Sequence, residues 1–285
     1  MGFRRFYYLR AIAEDSAFAP ALRGLSNVLD WKLVDGAKGT ATTYALLVGT
    51  HNRGLSPRES LLVVADAQWK SLGTRTFGSW TQGIRELFAT LDTAVRRFPD
   101  DPEVWFKVGD IRYHFHSYMP GESYSKARQA FDRSIALDSA FAPSYIHTID
   151  LALRAQDVAS ARDYIRRYQA LKSTDLNATT IGALGTLLAT GRPSNVDSIV
   201  QALPREALQL VFEQLSNLMD SSEIALRVMR VVARGREGEA SDPGRTARRG
   251  AALSIILATR GICARRTNCT TRRYTCCSPT MPCSA

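Results

Sequence analysis

Few residues in this sequence stand at spacings that suit chemistry. Its five cysteines, Cys263, Cys269, Cys276, Cys277 and Cys283, all crowd into the last part of the chain. They are separated by five, six, zero and five residues, whereas structural zinc sites favour pairs split by two to four. No histidine falls among them, so no metal set is read there. His114 and His116 flank Phe115, but positions two apart on a helix point to different faces. Satisfied or solvent-facing imidazoles are the simpler reading, and His51 and His147 stand alone. Gly36-Ala37-Lys38-Gly39-Thr40 has the composition of a phosphate loop. The true loop sets Gly before Lys-Ser/Thr and follows a strand, so a helix-to-helix turn fits better. Serines, histidines and aspartates are scattered without a nucleophile elbow or a kinase signature set. The sequence therefore reads as non-catalytic, with no cofactor, no metal and no small-molecule substrate.

Charge narrows the partners. The formal net charge is +10, which by itself suggests nucleic acid. Eight arginines lie beyond Pro243 with no Asp, Glu or Lys among them, and removing them leaves residues 1–242 at +2. The body thus lacks an electrostatic footprint for nucleic acid, and only the tail keeps that alternative open. Apolar stretches fall far short of the ~20 residues that span a bilayer, so no membrane segment is read. Arg10, Glu14 and Asp15 interrupt any apolar run after the basic start, so no signal peptide is read either.

The elements that must position any site are helices in repeats. Residues 12–20 and 135–143 match at eight of nine positions, at an offset of 123. A shorter period of 34 relates Ala127 to Ala161 and Phe131 to Ile165. That is the length of the tetratricopeptide repeat, a pair of antiparallel helices. The copy from Pro102 carries Trp105 at the bulky position, Val108-Gly109 for Leu-Gly, and Ala127 and Phe131 on the second helix. The aromatic of the first helix falls one place late, at Tyr113. Ser134 replaces the second Ala, and Ser139 replaces the exit Pro. This copy runs to 40 residues, with the six extra ones expected around residues 116–121. The next copy has Tyr145 and Ala161 at the bulky and small positions. Gly109, Ala127 and Ala161 let paired helices approach, while Trp105, Tyr145 and Phe131 fill the seams between neighbours. Trp31, Trp69 and Trp80 are likewise read as core rather than as a binding groove.

The chain therefore resembles tetratricopeptide-repeat proteins. The stretches 55–59, 98–105 and 137–143 are similar to the C-terminal repeat regions of bacterial serine/threonine protein kinases and related signalling regulators. The resemblance covers about residues 4–172. It implies an all-α, right-handed superhelical stack of antiparallel helix pairs, a TPR-like α-solenoid. It also implies a scaffold for a protein or peptide partner, as the interaction or sensor region of a larger bacterial signalling protein. The alternative is a kinase fragment lacking its catalytic domain. In that family the first helices line the concave face, which points to Lys107, Asp110, Arg112 and Tyr113 in the best repeat and to Ser144, His147 and Thr148 in the next. The compartment implied is cytoplasmic, or extracytoplasmic if a lost N-terminal part carried a membrane span.

Helices are expected at about 4–15, 19–31, 38–52, 56–72 and 79–97. One helix carries Trp105, and others follow at 122–137, 142–155, 158–171, 177–189, 194–203, 204–218 and 221–234. Ser56-Pro57-Arg58-Glu59 and the Asp220/Glu223 pair read as capping boxes. Strands are not expected, since no segment alternates with period two. The first helix falls where a second helix of a repeat belongs, so a start truncated in mid-repeat is expected. Residues 1–175 form the repeats, 176–235 hold degenerate pairs or a cap, and 236–285 are a disordered Arg/Cys-rich tail, alternatively one translated out of frame.

Overall fold

A computed structural model describes residues 2–30, 37–52, 55–74, 76–190 and 193–218, with four more residues between 224 and 228. Trp31, most of the expected last helix with Asp220 and Glu223, and the whole Arg/Cys-rich tail lie outside the described residues. The described residues are all-helical and contain no strand. They form α1 (Gly2–Glu14), α2 (Ala19–Asp30), α3 (Ala37–Thr50), α4 (Pro57–Ser71), α5 (Phe77–Arg97) and α6 (Pro102–Phe115). After these come α7 (Tyr124–Leu137), α8 (Pro143–Arg154), α9 (Val158–Ala170), α10 (Leu176–Thr190), α11 (Pro193–Ala202) and α12 (Arg205–Ser216). The chain divides into two compact units, Met1–Ala178 and Thr179–Ala285.

Local chemistry sets the helix starts. Ser56 accepts from the Glu59 N–H while the Glu59 side chain returns to the Ser56 backbone, a complete capping box. Asp101, Ser123 and Asp157 cap α6, α7 and α9 in the same manner, each accepting from a backbone N–H three residues on. Pro57, Pro102 and Pro143 occupy first-turn positions, where the missing N–H costs nothing. Pro204 instead stands at the N-cap of α12, one place before the helix proper.

In the first unit each helix from α1 to α9 packs on its neighbours in the chain, and α6 also touches α8. One core cluster joins Leu72, Ile84, Leu87, Phe88, Leu91, Val108 and Ile111, with Trp69, Trp80 and Trp105 packed against it. A second joins Phe106, Ala127, Phe131 and Leu151. The seam between α6 and α7 is tight because Gly109 has no Cβ: one built there would stand 2.7 Å from the Phe131 ring. Ala127, Phe131 and Ala161 are fully buried and Tyr145 nearly so. Ser134 of α7 keeps its buried hydroxyl satisfied. It donates to the Pro102 carbonyl at 2.7 Å and accepts from Ser144 at 2.7 Å. Between α6 and α7 the chain forms a short 3-10 turn, His116–Tyr118, and a turn through Gly121 at φ +78°.

The duplicated nine residues build the same corner twice. Asp15 Oδ1 accepts from the Ala17 N–H at 2.9 Å, and the Phe18 N–H donates to the Asp15 carbonyl at 3.1 Å. Asp138, Ala140 and Phe141 repeat both bonds at 2.9 and 3.1 Å. The corners differ in one place. Gly24 of α2 lets the Tyr8 ring close in, whereas the equivalent position of α8 is His147, 5.6 Å from the Phe131 ring.

The second unit buries Leu184, Leu187, Val196, Val200, Leu208, Val211, Phe212 and Leu215 among its described residues. Arg227 pairs with Asp197 at 2.6 Å.

Gly109→Ala is expected to destabilise the chain by about 1–3 kcal/mol, because the added Cβ would stand 2.7 Å from the fully buried Phe131 ring. Gly78→Ala, where a Cβ meets nothing within 4 Å, is expected to be neutral or to stabilise by up to about 1 kcal/mol. Urea unfolding of both variants checks the pair; equal effects would contradict a tight α6–α7 seam.

Candidate functional site

A cavity of about 980 Å³ opens on the face made by α2, α4, α6 and α8. Arg23, Gly24 and Asn27 line it from α2, and Glu59 and Val63 from α4. Glu103, Phe106 and Lys107 come from α6, Pro143 and Ile146 from α8. Tyr8, Tyr168 and residues 172–177, which lead into α10, complete the wall. No residue of α3, α5 or α7 is among the lining residues.

Three of the lining residues, Arg23, Glu103 and Lys107, belong to a ladder of alternating charge across three helices. Lys107 Nζ lies 2.6 Å from Asp66 Oδ1, and Arg23 Nε lies 3.1 Å from Asp66 Oδ2. Arg23 Nη2 reaches Glu103 at 2.6 Å, and Arg58 Nη2 reaches the other Glu103 oxygen at 2.7 Å. Arg58 then clasps Asp101, the α6 cap, through two nitrogens. Helical spacing sets part of this register. Glu103 and Lys107 are one turn apart on α6, and Arg58 and Asp66 lie about two turns apart on α4.

Burial makes the ladder consequential. The side chains of Asp66, Lys107 and Arg23 are only 9%, 11% and 13% exposed. Burial pushes the Asp66 carboxyl up, but Lys107 and Arg23 outweigh it and hold Asp66 below the ordinary carboxylate range. Glu103 is likewise raised by burial and held low by Arg23 and Arg58. Burial lowers Lys107, yet Asp66 and Asp110 outweigh it and keep the ammonium protonated. The ladder's cations are therefore spoken for, and its charges balance in sum.

A second polar cluster sits between α6 and α8. His114 Nε2 lies 3.5 Å and His147 Nε2 3.3 Å from the same oxygen of buried Asp110. Burial pushes the His114 imidazole down despite Asp110 beside it, which favours its neutral form. Tyr113 stacks on His147 with ring centroids 4.2 Å apart and donates to Asp150 at 2.6 Å. Arg154 also donates to Asp150, at 2.6 Å. Among the described residues, Asp110, His114 and His147 are of a kind and spacing able to hold a metal ion.

Of the seven residues expected to bind, Lys107 lines the cavity. Asp110, Tyr113 and His147 belong to the second cluster. Arg112 pairs with Glu122 at 2.7 Å. Ser144 and Thr148 are wholly buried, and Thr148 donates to the Ser144 carbonyl at 2.5 Å. Arg23, Asn27, Glu103, Phe106 and Ile146 were not expected. The stripe facing the cavity on α6 runs through Glu103, Phe106 and Lys107; of the four residues singled out on that helix Lys107 lies on it, and α8 packs against the later turn. His147 carried a usable signal: it replaces a glycine between the two copies of the duplicated corner.

No protein-family model matches the chain, and no curated protein is similar enough to count as a relative.

Asp66→Ala leaves two buried cations without their shared anion and is expected to cost about 3–5 kcal/mol in urea unfolding. Acid should act through the same groups. Asp66 and Glu103 have folded pKa values below their ordinary 3.8 and 4.5, so the unfolded chain binds protons first as pH falls. Their contribution is complete above those ordinary values and is lost as pH drops through the lower folded ones. Stability is expected to fall from pH 6 to pH 3, with a smaller drop in Asp66→Asn; an equal drop in both would remove Asp66 from the account.

Proposed function

We propose that this chain is a non-catalytic interaction scaffold, a tetratricopeptide-like stack of helix pairs that holds an extended segment of a partner protein. The observation that carries this reading is the division of labour among helices. Most of the described lining comes from α2, α4, α6, α8 and the start of α10, the first helices of successive pairs; the second helices add Tyr8 of α1 and Tyr168 of α9, and α3, α5 and α7 add none. Stacked pairs put their first helices on one face, and such faces take extended ligands. Neighbour-to-neighbour packing, the duplicated corner and the Gly109–Phe131 seam support the same arrangement.

The lining also suits a peptide. Ile146 and the edge of Phe106 offer apolar surface, while Asn27, Ser173 and Thr174 offer donors and acceptors for a peptide backbone. Because the ladder consumes its own charges, recognition rests on shape and backbone bonding more than on a charged clamp. The resemblance to repeat regions of bacterial signalling kinases supplies the setting, an interaction region of a larger signalling protein.

Selection of peptides from a random displayed library on the whole chain tests this. Selected peptides are expected to lose at least about tenfold in affinity on Asn27→Arg, which fills the cavity, and to be unaffected by Arg133→Ala on α7. A library yielding no peptide, or peptides indifferent to Asn27→Arg, would overturn the proposal.

A further inference from the structure

We infer that Asp110, His114 and His147 form a binding site for a divalent transition-metal ion of the zinc class. Asp110 and His114 stand one helical turn apart on α6, and His147 comes across from α8. Both imidazoles aim Nε2 at one oxygen of Asp110, at 3.5 and 3.3 Å, and all three ligand atoms lie within 4.8 Å of one another. A tetrahedral ion with bonds of about 2.0–2.1 Å holds its ligand atoms about 3.4 Å apart. Two edges of the ligand triangle are therefore already at coordination spacing. The third closes by a modest rotation of His114, whose side chain is 41% exposed and has room to turn.

The other two ligands are held in place. Asp110 is 8% exposed at its side chain, and the His147 ring is stacked on Tyr113 at 4.2 Å and lies tilted against Phe131 at 5.6 Å. Two imidazole nitrogens with one carboxylate suit zinc, cobalt, nickel or copper, and suit magnesium or calcium poorly. Lys107 lies near Asp110, but its ammonium is engaged by Asp66 at 2.6 Å, so the Asp110 carboxylate is not consumed by a direct ion pair with it. The exposed side of His114 leaves a fourth position open to water or to a donor from elsewhere. An ion there joins α6 to α8, two helices with α7 between them in sequence, and so stabilises the wall next to the cavity without lining it.

The test uses the full chain, free of any affinity tag, with its five cysteines alkylated so that tail thiolates take no zinc. Zinc chloride is titrated by calorimetry at pH 7.5, and thermal unfolding is followed with and without it. One equivalent is expected to bind in the low-micromolar range or tighter, with a raised Tm. Magnesium chloride is expected to do neither. His114→Gln, at the most exposed ligand, should weaken zinc binding at least about tenfold with helicity unchanged by circular dichroism. His147→Gln provides a second variant on the other helix. No saturable zinc site in the alkylated chain, or zinc bound as tightly by both glutamine variants, would overturn the inference.

Discussion

Every interior helix of the first unit must bury apolar side chains against two neighbours, one before it in the chain and one after. That constraint governs the rest. A lone hairpin of two helices hides one side of each and leaves the other wet, so stability grows with each added neighbour. The positions that meet this demand are those where a small residue faces a large one. Gly109 receives the Phe131 ring and Gly24 receives Tyr8. Side chains of ordinary size on both sides would hold the helices apart and open gaps that dispersion forces could not recover.

The same close stacking brings charges together. Arg23, Arg58, Asp66, Asp101, Glu103 and Lys107 come from three helices, and several are largely out of water. Such a set is tolerable because each charge has an opposite partner at hydrogen-bond distance. It adds less to stability than its contact list suggests, since desolvation offsets much of the attraction. What it does add is register: α2, α4 and α6 have to align for the ladder to close, and a shift of one helix would strand a buried charge. The face they build is consequently defined in position while carrying no surplus charge of its own.

The second cluster shows how one substitution in a repeated frame creates a polar site. Where the first corner has Gly24 beside an aromatic, the second has His147. The imidazole fills the space between α6 and α8 and meets Asp110 and His114 on the facing helix. Tyr113, Asp150 and Arg154 extend the network along the same seam. Polar groups here are paired within the seam, which is the condition for burying them at all.

The sequence by itself determined the helices and their punctuation. Caps at Ser56, Asp101 and Asp157, first-turn prolines, and apolar spacing along 79–97 act within a few residues, so their effects are readable from the chain alone. The repeated corner was legible for the same reason: identical local residues make identical local hydrogen bonds. Tertiary structure alone decided which face of each helix is left open and which charges meet. Arg23 finds Glu103 across 80 residues and Asp66 across 43. His147 meets Asp110 only because α8 folds back over α6. Helical position singled out Lys107, Ser144 and Thr148 alike, yet Lys107 lines the cavity while Ser144 and Thr148 are wholly buried. Periodicity names the faces of a helix, but only the neighbours that pack against it decide which face stays in contact with water.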